Sequence, residues 1–239
     1  MYDLYIANKN YSSWSLRPWV LMSELHIPFH ERLESFQGAD NWSRFRRFSP
    51  TGKVPTLIVS NPSEERRAEK GLVIWDSLAI AEFLAERHAG VWPEDPAARA
   101  WARCAAAEMH SGFPQLRANC SMNCGIRVKL NSVGPQLQRE LVRLDELWDD
   151  GLDRFGGPFL TGTGFTAVDA FYAPVAFRVQ SYGLEMVQKA REYVDLLLGL
   201  ESMQSWYEAA LREEWRDESH EREWRAIGTL VDDLRRSTR

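Results

Sequence analysis

From residue 2 to residue 7 the chain sets Leu4 and Ile6 against Asp3 and Tyr5, the period-two alternation of a half-buried strand. The period then becomes helical. Val20, Leu21, Met22 and Leu25 share one side of a helix whose head carries Ser12, Ser13 and Ser15 as N-cap hydroxyls and whose first turn admits Pro18. Further strands are expected at 29–33, in the 52–59 stretch that follows a glycine turn, and at 72–75. Between the first two of these, residues 41–48 read as a short helix capped by Asn41 and stopped before Pro50. The polar stretch 60–70, with its charge run at 64–67, reads as a solvated hairpin loop. Asp76 and Ser77 then cap a helix over 78–87 with Leu78, Ala81, Leu84 and Ala85 on its apolar side. The order β-α-β-α-β-β-α is a complete α/β domain over residues 1–88.

Residues 89–96, which contain Pro93, Asp95 and Pro96, read as a linker, and the pattern after it is helical over 97–239. An Ala-rich helix over 97–118 is interrupted by Gly112 and Pro114. Over 133–154, Leu137, Leu141, Leu144 and Trp148 fall at i, i+4, i+7 and i+11 on one helix face, which ends at Gly156. Thr166 and Asp169 form a capping-box pair, followed by a buried stripe of Phe171, Val175 and Val179. Two more helical patterns cover 186–200 and 202–214, and a charged, Trp-containing tail runs to the end.

Composition narrows the partners. The chain has 239 residues, 44% hydrophobic and 26% charged, enough for one large domain or two ordinary ones. A net charge of −5 with both signs interspersed gives no footprint for nucleic acid or an anionic membrane. The N-terminus has no basic leader and no apolar run approaches a membrane span, so a cytoplasmic protein is expected. The 3 cysteines, Cys104, Cys120 and Cys124, stand at no zinc-finger spacing and suit reduced thiols. Cys120 and Cys124 share a helical spacing, but no His or carboxylate cluster completes a metal site, and none is expected. Sequons at Asn10, Asn41 and Asn119 read as chance.

A strand feeding a serine-rich helix start can hold an anion, because free N–H groups and the positive end of the helix dipole point at it. Three spaced motifs say which. The head reads Ser12-Ser13-Trp14-Ser15-Leu16-Arg17, the middle Pro50-Thr51-Gly52-Lys53-Val54-Pro55-Thr56-Leu57, and the third Asp76-Ser77-Leu78-Ala79-Ile80 with Phe83-Leu84 beyond it. Together with the Thr166…Asp169 box they resemble a glutathione S-transferase of the serine type, zeta- or theta-like, over about residues 2–211. The resemblance implies a thioredoxin-like N-terminal domain, an all-helical C-terminal domain and a homodimer.

It also implies roles. Ser12, five residues before Arg17, meets the glutathione thiol, with Ser13 as the competing candidate; Ser13 and Ser15 are otherwise left to cap the helix. A free thiol ionises near pH ~8.5. Lowering that value by about two units stabilises the thiolate by about 2.7 kcal/mol, the size of one charge-assisted hydrogen bond plus a helix dipole. A cis bond between Val54 and Pro55 would expose the Val54 backbone to the cysteine of the tripeptide, Lys53 would meet its glycyl carboxylate, and Asp76 and Ser77 its γ-glutamyl end. Asp76 is one methylene shorter than the family's usual Glu or Gln. Tyr11, Trp14, Met109, His110, Phe113 and Arg117 are the candidates for a mostly apolar second-substrate pocket, with interdomain core as the competing reading of the last four. Asp169 is assigned to structure.

Glutathione is thus the expected co-substrate and a small electrophile its partner. A zeta-like cis–trans isomerase of a maleyl compound is the alternative, although Trp14 stands where the zeta motif has Cys; a non-catalytic protein that uses this fold as a glutathione-binding or regulatory module is a third. Gly162-Thr163-Gly164-Phe165-Thr166-Ala167 fits a loose dinucleotide fingerprint but lacks its βαβ setting, and no nucleophile elbow accompanies the serines.

Overall fold

The computed structural model describes residues 1–36, 40–60 and 71–236. The first seven elements are β1 (Tyr2–Ile6), α1 (Ser13–Glu24), β2 (His30–Leu33), α2 (Asn41–Phe45), β3 (Thr56–Val59), β4 (Leu72–Ile74) and α3 (Ser77–Ala85), in the expected order. They form one four-stranded sheet ordered β2-β1-β3-β4, with β1 parallel to β2 and antiparallel to β3, and β3 antiparallel to β4. Leu4, Ile6 and Leu57 are fully buried against Leu16, Val20 and Leu21 of α1 and Ile80 and Leu84 of α3. The alternation in β1 therefore sends its apolar set into the core, as period two requires.

Two local expectations change, and a third lies mostly outside the described residues. Ser12 is the N-cap of α1, so Pro18 lies inside the helix and not in its first turn. The N-cap of α2 is Asp40, whose Oδ1 accepts from Ser43 N at 2.9 Å, and not Asn41; the carboxylate reaches the free amide two residues inside the helix. The expected hairpin loop falls largely on residues 61–70, outside the described residues.

The chain then crosses to a helical layer. Val91 and Trp92 of the connection are buried, and Val91 O accepts from Ala167 N at 2.8 Å, which ties the linker to the helices. These are α4 (Pro96–Ser111), α5 (Pro114–Asn119), α6 (Pro135–Phe155), α7 (Ala167–Tyr182), α8 (Gln188–Gly199), α9 (Glu201–Arg212) and α10 (Glu218–Ile227). Helix α7 is buried along almost its whole length and packs on α1, α4 and α8. It joins the two halves, which is why its sequence is apolar on every side and shows more than a stripe.

The helical half also contains a small sheet. β5 (Ile126–Leu130) pairs antiparallel with β6 (Gly228–Asp233), so the charged tail is folded. Ile126 and Val128 point inward, while Arg127 lies opposite Asp232. All three cysteines are free, Cys104 exposed and the other two buried. No helix of the described residues is long and apolar enough to cross a membrane.

Candidate active site at the head of the first helix

The turn between β1 and α1 is built on Asn8, whose carbonyl accepts from Tyr11 N at 3.1 Å and Ser12 N at 2.8 Å. This brings Tyr11, Ser12 and Ser13 to the lining of a cavity of about 530 Å³. Ser12 Oγ accepts from Ser15 N at 3.4 Å and donates to Ser15 Oγ at 2.7 Å, while Ser15 Oγ accepts from Ala7 N at 3.2 Å. The capping work expected of Ser13 and Ser15 thus falls to Ser12 with Ser15 behind it. Among the described residues Ser13 Oγ has no hydrogen bond.

Lys53 and Val54 form another part of the lining, and the Val54–Pro55 peptide is cis. Gly52 just before them has φ +66°, and a Cβ there would meet the Trp42 indole at 2.6 Å, so this approach of the loop to the cavity needs glycine. Asp76 and Ser77 sit at the head of α3, outside that lining. Asp76 Oδ1 accepts from Leu78 N at 3.0 Å and its Oδ2 lies 3.3 Å from His110 Nε2. Ser77 Oγ is buried and carries no hydrogen bond among the described residues.

Of the second-substrate candidates, Tyr11, Trp14 and Arg117 line the cavity. Met109 and Phe113 do not: they are 1% and 5% exposed within the core, because the face of α4 that carries Met109 is the one packed against α7. His110 stands behind Trp14, edge-on at 5.2 Å.

Apart from Arg117, two groups escaped the sequence. The first is cationic. Arg17 is 1% exposed, held between the Trp14 ring at 4.3 Å and the Phe171 ring at 4.7 Å, and its guanidinium N–H groups donate no hydrogen bond among the described residues. Arg117 lies over Trp14 at 4.8 Å, and Arg178, buried in α7, donates to Cys120 O. Burial and then the neighbouring arginines pull Arg17 well below its ordinary range, and burial followed by Arg117 pulls Arg178 down to about 10. Arg117 and Arg178 both line the cavity, so its wall is cationic as well as apolar. An arginine inside the apolar run of α7 was the available signal.

The second group is the tail. Glu213 accepts from Lys9 N at 2.6 Å and Asn10 N at 3.2 Å, pinning the turn that presents the serines. Tyr11 OH donates to Glu221 Oε1 at 2.8 Å, and Arg235 clamps the same carboxylate. Burial, then Glu221, pushes the Tyr11 hydroxyl far above its ordinary value. Asp217, Ser219, His220 and Glu223 of the tail also line the cavity. No cluster of metal-ligating side chains occurs among the described residues.

Two family models match: the glutathione S-transferase N-terminal domain over residues 11–87 and the C-terminal domain over 126–209. The chain is 25% identical over 190 residues to a probable maleylacetoacetate isomerase of Caenorhabditis elegans, covering 77% of this chain and 81% of that one. Among solved structures it resembles a glutathione transferase homolog from Burkholderia GL BGR1 with bound glutathione (24% identity, 87% and 97% of the two chains, TM-score 0.62). It also resembles maleylacetoacetate isomerase from Anaeromyxobacter dehalogenans with glutathione in the active site (20% identity, 86% and 94%, TM-score 0.59).

Proposed function

The chain belongs to the glutathione S-transferase family, and from that premise we propose that it activates the thiol of glutathione at the head of α1 for attack on a small electrophile in the adjoining cavity. The observation that carries this is the placement of Ser12 and Ser13 together at a helix N-terminus on the wall of that cavity. The helix dipole and the field of Arg17, Arg117 and Arg178 favour a thiolate over a thiol there. A serine hydroxyl supplies the hydrogen bond. Ser12 must turn its proton from Ser15 Oγ to the sulfur, whereas Ser13 starts without a partner.

The rest of the tripeptide fits the remaining groups. Val54 carries no backbone hydrogen bond among the described residues and offers N–H and C=O to the cysteinyl unit. Lys53 takes the glycyl carboxylate. The buried, unpartnered Ser77 Oγ takes the γ-glutamyl carboxylate, and Asp76 takes the amine after loosening its contact with His110. In the test, Ser12→Ala removes turnover while retention on immobilised glutathione persists; undiminished turnover would transfer the role to Ser13. No retention of the wild type would leave only a non-catalytic module.

The second reading, a glutathione-dependent cis–trans isomerase of a maleyl compound, is favoured by Arg117 and Arg178, which suit the carboxylates of such a substrate. Trp14 narrows the space for it. Turnover of a maleyl dicarboxylate without net glutathione consumption, exceeding conjugation of a chlorinated nitroarene, would select this reading. We place the reaction, with its use in detoxification, in the cytoplasm on the strength of three free thiols, and in a homodimer on the family resemblance. A monomer by sedimentation at micromolar concentration would remove the last point.

A further inference from the structure

The tail brings an imidazole to the cavity. Asp217, the N-cap of α10, accepts at Oδ1 from Ser219 N at 2.9 Å and His220 N at 3.3 Å, which fixes the first turn of that helix. The His220 ring stacks on Tyr11 at 4.9 Å with 20° between planes, and on Phe36 at 5.3 Å with 28°. A ring stacked on two aromatic neighbours is held in place. Nδ1 lies 3.2 Å from Asp217 Oδ1, a contact of charge more than an aligned hydrogen bond. Nε2 has no hydrogen bond among the described residues, and the residue lines the cavity. Because Tyr11 directly precedes Ser12, the stack fixes the imidazole to the same turn that presents the serines.

We propose that His220 is the proton-transfer group for the second substrate, with Asp217 as its positioning residue, and that this equips the site for an activated alkene that takes up the thiol by addition. The proposal rests on the glutathione reading above. In such an addition the sulfur gives its electron pair to the β-carbon, and the π pair of the C=C bond moves onto the carbonyl-bearing end. His220 then delivers its Nε2 proton to the resulting enolate. The proton the thiol released to water on ionising is balanced by the one the imidazole takes back, so the sum is S–H added across C=C and nothing else is consumed.

The charges around the ring suit this. Asp217 and Glu223 on α10 put negative charge beside the imidazole edge, with Asp217 Oδ1 3.2 Å from Nδ1. The Glu221–Arg235 pair holds Tyr11 beneath it. Arg117 from α5, Arg178 from α7 and Lys53 line the rest of the cavity and favour the negative enolate oxygen.

The test compares two electrophiles in the full-length chain: an α,β-unsaturated ketone, whose product needs a proton, and a chlorinated nitroarene, whose chloride leaves without one. His220→Gln is expected to lower kcat/KM for the ketone about 100-fold. That loss should exceed the loss on the nitroarene at least tenfold by the same reasoning, and one limb of the ketone pH profile should vanish. Asp217→Asn keeps a capping side chain but removes the charge, so it should give a smaller loss, again larger on the ketone than on the nitroarene. Equal losses on the two electrophiles, or an unchanged pH profile, would overturn the proposal and leave His220 as packing. A wild type inactive on both and not retained on glutathione would overturn the parent reading with it.

Discussion

Helices α1 and α7 begin with the same kind of chemistry and put it to different uses. At α7 the Asp169 carboxylate is fully buried and accepts from Leu160 N at 3.0 Å, Tyr193 OH at 2.9 Å and Thr166 N at 2.9 Å. Every donor it meets belongs to the fold. At α1, Ser12 caps the helix just as locally, but beside it Ser13 has an uncommitted hydroxyl, and both line a cavity. A helix start therefore supplies polarity of one sign in either place. What separates a folding device from a site is whether the ring of partners closes within the protein.

The sharpest way to break this contrast is to remove Asp169. Asp169→Ala strands the amides of Leu160 and Thr166 and the hydroxyl of Tyr193 in the core, and unsatisfied buried donors cost about 1–3 kcal/mol each. A loss of about 3 kcal/mol or more is expected, read from the urea midpoint at constant slope. A loss below about 1 kcal/mol would mean the α7 junction closes without its carboxylate.

Ser12→Ala should show the opposite profile. The lost cap costs about 1 kcal/mol of stability, while turnover with glutathione falls about 100-fold if the hydroxyl meets the thiolate. Ser13→Ala removes no cap and should leave stability within about 0.5 kcal/mol. Should the larger kinetic loss follow Ser13→Ala, Ser12 is structural like Asp169 and the contrast shifts by one residue.

How much of this was legible follows from the same distinction. The βαβαββα order, the capping pair at Thr166 and Asp169, and the face of α6 show in the sequence because each depends on residues a few positions apart. Lys53 and Val54 were legible through the motif that surrounds them. For Met109 and Phe113 the sequence left pocket and interdomain core open, because periodicity marks a buried face without saying what covers it; here both lie in the core around α7. The tail was illegible for a different reason. Glu213 and Glu221 act on Lys9, Asn10 and Tyr11 about 200 residues away, by the separations of 204, 203 and 210 that their hydrogen bonds span, and His220 stacks on Tyr11 across the same gap. Such pairings leave no periodic trace in one chain, and a charged segment reads the same whether solvated or clamped.

Acid should separate the two regions by the sign of their response. Burial pushes Asp169 up to about 6 from its ordinary 3.8, against the hydrogen bonds it accepts. A carboxyl raised on folding stabilises the native state below its unfolded value and loses that contribution as pH rises through about 6, so acidification favours the α7 junction. At Glu221, burial also pushes upward, but the hydrogen bond and charge of Arg235, with Tyr11 and Trp224, outweigh it and hold the carboxyl below its ordinary 4.5. A carboxyl lowered on folding contributes stability above 4.5 and loses it as pH falls through its folded value. The tail clamp therefore weakens in acid while the α7 junction does not. Hydrogen exchange at descending pH, corrected for the intrinsic rate, should show α10 amides losing protection before those of α7. Glu221→Gln should lower α10 protection at neutral pH and flatten its decline in acid. Loss of protection at α7 first would show that the tail is held by its packing, and that the Glu221–Arg235 pair does not govern how firmly Tyr11 and the serine turn are anchored.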